Sequence, residues 1–197
     1  TLTPRSPHAH PTLTPRSPNP IKQVSGTVST SPEELLAYYW IYSHQAQHAH
    51  VKSNGTDSAK FPNLAVAHLN PHHQIVYSCR KFPPPFAPRD FLNENIYDRV
   101  DKDNFILVYS PVGENHPSVP SNSQTTTLLN AVRGDFTAMY EFERLPLNQT
   151  KMTFTCIVAI KGSAPKALSN LGMKGLLEEV RRASEFFEVS ERSGGGD

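Results

Sequence analysis

Two cysteines in 197 residues are too few for a disulfide framework. Cys79 and Cys156 fall on separate predicted strands, and a reducing, cytoplasmic setting is the simplest expectation. No stretch approaches the roughly 20 apolar residues that a membrane-spanning helix needs. Net charge is missing as a signal: 19 Lys and Arg against 18 Asp and Glu leave +1. Nothing in that balance suggests nucleic acid or an anionic membrane as an electrostatic partner. Motifs for covalent chemistry are absent too, with no Gly-x-Ser-x-Gly elbow, Ser-His-Asp order or phosphate loop. The nine histidines do not make a zinc site. His44 and His48 have helical spacing, but Gln45 stands where a zincin needs glutamate, and no cysteine pair has zinc spacing. No metal and no cofactor are expected. The first residues carry no signal-peptide pattern and Thr1 is not an initiator, so the expectation is a piece of a longer, multidomain chain.

Residues 1–20 hold six prolines and an imperfect repeat, Thr1-Leu2-Thr3-Pro4-Arg5-Ser6-Pro7 and Thr12-Leu13-Thr14-Pro15-Arg16-Ser17-Pro18. Proline removes backbone donors and the segment has no apolar face, so it reads as a disordered linker. A folded domain is expected over 21–189 and a flexible tail over 190–197. Asn54-Gly55-Thr56 and Asn148-Gln149-Thr150 match the glycosylation pattern and read here as turns.

The patterning alternates between sheet and helix periods. Ile21 to Ser29 reads as a strand. Ser31-Pro32-Glu33-Glu34 opens a helix, with Ser31 as cap, Pro32 at the first helical position and Glu34 closing a capping box. Leu35, Leu36, Tyr39 and Trp40 form its packing face. Strands follow at Leu64–Leu69, at Ile75–Arg80, in a hairpin from Phe91 to Tyr109 turning at Asp101-Lys102-Asp103, at Val132–Phe142 and at Met152–Ile160. Prolines 83–85 end the second of these. A last helix runs from about Lys166 to Glu188. Strand, helix, about six antiparallel strands and a long helix define an α+β domain.

Three blocks carry a resemblance. They are Val76-Tyr77-Ser78-Cys79-Arg80-Lys81-Phe82-Pro83-Pro84-Pro85-Phe86-Ala87-Pro88-Arg89-Asp90-Phe91, then Val132-Arg133-Gly134-Asp135-Phe136, then Lys161-Gly162-Ser163-Ala164-Pro165-Lys166 leading into the final helix. In this order and spacing, over roughly Ile21 to Val189, the chain resembles the START family of lipid-transfer modules. The resemblance implies a helix-grip (START/Bet v 1-like) fold: a curved antiparallel sheet packed against a long C-terminal helix, with a hydrophobic cavity between them. The family's usual first helix and first two strands have no counterpart here, which leaves a strand edge without its partner.

By the same resemblance, Arg89 of the Pro-Arg-Asp-Phe turn enters the sheet near the cavity. No Asp or Glu lies between Asp57 and Asp90, so the local acid that often pairs with this arginine is missing. Arg89 must then find Asp90, a remote acid, carbonyls, water or an anionic headgroup. The plain alternative is that it satisfies turn carbonyls and never meets ligand. Trp40, Tyr77, Tyr97, Tyr109, Phe136 and Tyr140 are candidates to line a cavity, and Met173, Leu177 and Val180 to roof it. Ordinary core packing is the alternative for all of them, because both bury the same face. Gly172 and Gly175 weaken the last helix.

The leading expectation is a non-enzymatic module that binds a single lipid, such as a phospholipid or sterol, for transfer or sensing, with transient membrane contact. The alternative is a regulatory protein-interaction domain with a small or filled cavity. An enzyme of the same broad fold is a third reading, and the lack of a clustered acid–base set argues against it.

Overall fold

A computed structural model of the 197-residue chain describes residues 20–42, 63–80, 85–113, 116, 131–161 and 178–194. The described elements are β1 (Lys22–Val28), α1 (Pro32–Tyr42), β2 (Asn63–Asn70), β3 (His73–Arg80), β4 (Arg89–Arg99), β5 (Asn104–Pro111), β6 (Val132–Arg133), β7 (Asp135–Leu145), β8 (Gln149–Ala159) and α2 (Glu179–Gly194). They form one sheet in the order β1-β8-β7-β5-β4-β3-β2, antiparallel along that path, with β6 beside β4. The first and last described strands are neighbours, Lys22 opposite Cys156 through Val28 opposite Thr150. This is the α+β helix-grip arrangement.

Local chemistry accounts for the element boundaries. The Glu34 backbone N–H donates to Ser31 Oγ (3.3 Å) and the Ser31 N–H donates back to Glu34 Oε2 (3.2 Å), a reciprocal cap at the start of α1. Leu35, Leu36 and Tyr39 then bury the helix face against β5, β7 and β8. On β7, Ala138, Tyr140 and Phe142 are buried while Thr137, Glu141 and Glu143 are exposed, as their alternation requires. The β7–β8 hairpin turns through Leu147 (φ 63°) and Asn148 (φ 52°). Thr150, the third residue of that glycosylation pattern, is fully buried and donates to the Thr30 carbonyl at 2.7 Å.

Two boundaries differ from the sequence reading. Val132 to Phe142 is not one strand but β6 and β7, broken at Gly134. There the Gly134 N–H donates to the Asp90 carbonyl (2.8 Å), and β6 pairs parallel with β4, Val132 opposite Arg89 and Arg133 opposite Asp90. A Cβ on Gly134 would come within 2.6 Å of Phe91 Cε1 and 3.2 Å of the Ala159 carbonyl oxygen, so the chain crosses here only without a side chain. The final helix continues past Glu188 to Gly194, so Ser193 and Gly194 belong to it. Its proposed beginning, with Gly172, Met173, Gly175 and Leu177, lies outside the described residues. So do the linker 1–19 and His44, His48 and His50.

Helix α2 lies against β1. A Cβ on Gly26 would meet Val180 Cγ1 at 2.7 Å, Ala183 is fully buried, and Ser184 Oγ reaches the Thr27 carbonyl at 3.4 Å. On its other side β1 has no strand among the described residues. Its pairing with β8 is regular throughout, whereas β2, the opposite edge, carries register shifts at Ala65/Ala67 and His68/Asn70.

Candidate functional site on the inner face of the sheet

Side chains of residues paired directly across antiparallel strands lie on one face, so register assigns every position. One inner row runs Cys156, Ala138, Tyr109, Asn95, Gln74. The adjacent row runs Phe154, Tyr140, Leu107, Tyr97. Both rows face the helices: Tyr39 of α1 lies 4.5 Å from the Tyr140 ring.

This face has two zones. Beneath α1 and α2 it is a mesh of rings. Tyr140 lies 4.6 Å from Phe154 and 5.5 Å from Tyr109, Tyr109 lies 6.0 Å from Phe136, and Trp40 meets Tyr97 edge-on at 4.7 Å. Aromatic pairs at these separations add about 0.5–1.5 kcal/mol each beyond their buried area. The Tyr39 hydroxyl donates to the Glu179 carbonyl at 3.1 Å and so ties α1 to the start of α2. Burial pushes the Tyr39, Tyr109 and Tyr140 phenols upward, and the Glu179 carboxylate adds to each shift. Burial also holds the Glu179 carboxyl above its ordinary value, while Arg182 and Arg80 pull it back. The Cys156 thiol is pushed up to about 11 by the same burial, which makes it an inert packing group.

The second zone, on β3 and β4, is polar and buried. Gln74, Asn93, Asn95 and Arg89 are each at most 4% exposed. Asn93 Nδ2 donates to the Phe136 carbonyl. Asn95 is 1% exposed, and neither its Oδ1 nor its Nδ2 has a hydrogen-bond partner. A buried amide left so costs about 1–3 kcal/mol per group.

Arg89 sits at the end of this zone. Its Nη1 donates to the Ala87 carbonyl and lies 3.5 Å from the Pro88 carbonyl, so its own turn holds it. Asp90 is not its partner. That carboxylate points to the other face and takes a two-pronged grip from Arg133, Nε to Oδ1 and Nη2 to Oδ2, both 3.0 Å. Register sets Arg80 directly opposite Arg89. Desolvation lowers the Arg80 pKa, and the Glu179 carboxylate opposes that.

The sequence candidates therefore separate. Trp40, Tyr97, Tyr109, Phe136 and Tyr140 come together on the helix side. Tyr77 does not join them: it pairs with Leu92 on the outer face and packs with Ile75 and Cys79 in a second small core. One residue of offset decides this, because a strand turns successive side chains to opposite faces. Val180 packs over Gly26, while Met173 and Leu177 lie outside the described residues. Residues that sequence reasoning missed are Gln74, Asn95, Arg80 and Glu179. The legible signal was Asn93 and Asn95, two amides at successive same-face positions of a strand otherwise fit for a core.

Elsewhere, an open groove of about 570 Å³ crosses the outer face, lined by Gln23, Ser25, Glu141, Glu143, Lys151 and Thr153 among others. Among the described residues no three His, Cys, Asp or Glu side chains are placed to hold a metal ion. His72 stacks on Tyr97 at 4.5 Å and His73 pairs with Glu94. No described helix is long and apolar enough to cross a membrane.

No family model and no curated protein matches the sequence. Solved structures do match the fold. The human StarD13 (DLC2) lipid transfer and protein localization domain superposes with TM-score 0.64 at 19% identity, covering 86% of this chain and 77% of that one. Human StAR-related lipid transfer protein 5 gives 0.60 at 14%, covering 85% and 76%. A STAR-related lipid transfer protein fragment from Xanthomonas axonopodis gives 0.57 at 14%, covering 84% and 81%. The chain has a START-like helix-grip fold.

Proposed function

We propose that this chain binds one hydrophobic molecule, such as a phospholipid or sterol, against the inner face of its sheet, with the C-terminal helix across it. The observation that carries the reading is the two-zone inner face. Rings of Tyr97, Tyr109 and Phe136 border a buried strip that offers amides, in a fold shared with lipid-transfer domains. Apolar contact would supply affinity at about 25 cal/mol per Å² buried, less the cost of association. The polar strip would orient one end of the ligand, with Arg89 and Arg80 at its far edge. Tyr140 and Trp40 serve mainly by packing, and Val180, Met173 and Leu177 belong to the proposed roof.

Binding, not turnover, fits the charges. Inner-face positions of β1, β3, β4, β5, β7 and β8 carry no carboxylate. The Glu179 carboxylate is engaged by Arg182 at 3.1 Å. Transfer or sensing would bring brief contact with a membrane, and service within a larger chain is part of this proposal.

The regulatory reading has its own support in the ring mesh beneath α1. Native mass spectrometry of protein purified from cells separates the two. The lipid reading predicts a single co-purifying lipid per chain. A folded protein at its bare mass, before and after incubation with mixed lipid vesicles, would contradict it.

A further inference from the structure

We infer that Asn95 anchors the ligand through an uncharged hydroxyl or amide group, so that the site selects neutral polar lipids over anionic ones. This rests on the lipid-binding reading and deepens it.

The position of Asn95 is the first argument. It lies in the inner row between Tyr109 on β5 and Gln74 on β3. It is 1% exposed, and both heteroatoms of its amide are buried without a hydrogen-bond partner. Asn93, two residues away on the same face, is different: its amide nitrogen donates to the Phe136 carbonyl. Buried side-chain amides are nearly always satisfied, so one with neither end satisfied calls for a partner. An asparagine offers one acceptor and two donors. The complementary group must both give and accept a proton-bridged contact. A hydroxyl does this, and so does an amide. A phosphate at neutral pH accepts only, and would leave Oδ1 unmet.

Charge is the second argument. The inner-face cations of this zone, Arg80 and Arg89, are paired at the other end of β4. Six residues of strand separate Arg89 from Asn95, roughly 20 Å at the usual rise. A headgroup on Asn95 is out of the reach of Arg89. An anion brought to Asn95 would be stripped of water without the Arg89 guanidinium to replace it. A neutral polar group meets no such penalty.

The test loads purified full chain from phosphatidylcholine vesicles doped in turn with cholesterol, diacylglycerol, ceramide or phosphatidic acid. Captured lipid is then quantified by mass spectrometry after repurification. The expected result is capture of at least one neutral hydroxyl- or amide-bearing lipid in preference to phosphatidic acid. Asn95→Leu, close in size and without hydrogen bonds, should reduce that capture about tenfold or more while its melting temperature stays level or rises. If the leucine protein does not fold, Asn95→Ser, which keeps one polar contact, should capture less neutral lipid than the parent, and capture equal to the parent's would overturn the inference. Phosphatidic acid as the preferred ligand would overturn the inference. So would a folded leucine variant that captures neutral lipid like the parent, which would leave Asn95 to water alone. No capture of any lipid by the parent would instead overturn the lipid-binding reading, and this inference with it.

Discussion

Single residues explain why the three sequence blocks belong together. Asp90 of the first block is held by Arg133 of the second, and Gly134 lets that strand pass over Phe91. The resemblance marked these residues by order and spacing, and their role is to lock β6 onto β4. Sequence alone did not separate Arg89 from Asp90 as neighbours on opposite faces. Arg89 touches the carbonyls of its own turn, Ala87 and Pro88. The Asp90 side chain is 3% exposed, so removing its partner strands a buried charge. Arg133→Leu should cost about 3–5 kcal/mol in urea unfolding. The double variant Asp90→Leu/Arg133→Leu should regain most of it. A single variant as stable as the parent would show that the pair is not holding β6.

Elements were legible where a period ran long. β7 and β8 alternate cleanly through Ala138, Tyr140 and Phe142 and through Met152, Phe154 and Cys156, and their burial follows. The cap of α1 was legible because Ser31 and Glu34 stand at the required spacing. Which face of β3 looks inward was not, since Ile75, Tyr77 and Cys79 compete with Val76 and only the register to β4 decides. Glu179 was illegible for a related reason: its burial depends on how α2 settles on β1 through Gly26 and Val180. Because burial raises its folded pKa above the ordinary 4.5, the folded state binds the proton more tightly than the unfolded state does. Its contribution to stability is therefore fullest at low pH and is lost as pH rises from the unfolded value through the folded one. Glu179→Gln should raise the melting temperature at pH 7 and flatten its fall between pH 4.5 and 7. A glutamine variant that melts lower at pH 7 would mean that attraction to Arg182 and Arg80 outweighs desolvation.

The described residues form a curved sheet packed against two helices, with an apolar mesh at one end of its inner face and buried amides at the other. Composition gave no sign of a charge-driven partner, and two cysteines are too few for a disulfide scaffold. Block order carried the fold, which the matches to lipid-transfer domains share. The inner face as a working surface needed the three-dimensional register, because its polar strip is assembled from β3 and β4 a residue at a time. Among the described residues β1 is an edge strand, regularly paired with β8 on its one side.

The account turns on one ligand lying against that inner face. The most direct measurement is photolabelling of the full chain with a lipid carrying a diazirine on its acyl chain, with labelled peptides mapped by mass spectrometry. One label per chain is expected, on the segments of Asn95–Tyr97, Tyr109 and Phe136, and competed by unlabelled lipid. Labels spread over outer-face residues such as Gln23, Thr153 and Glu141, insensitive to competition, would contradict it.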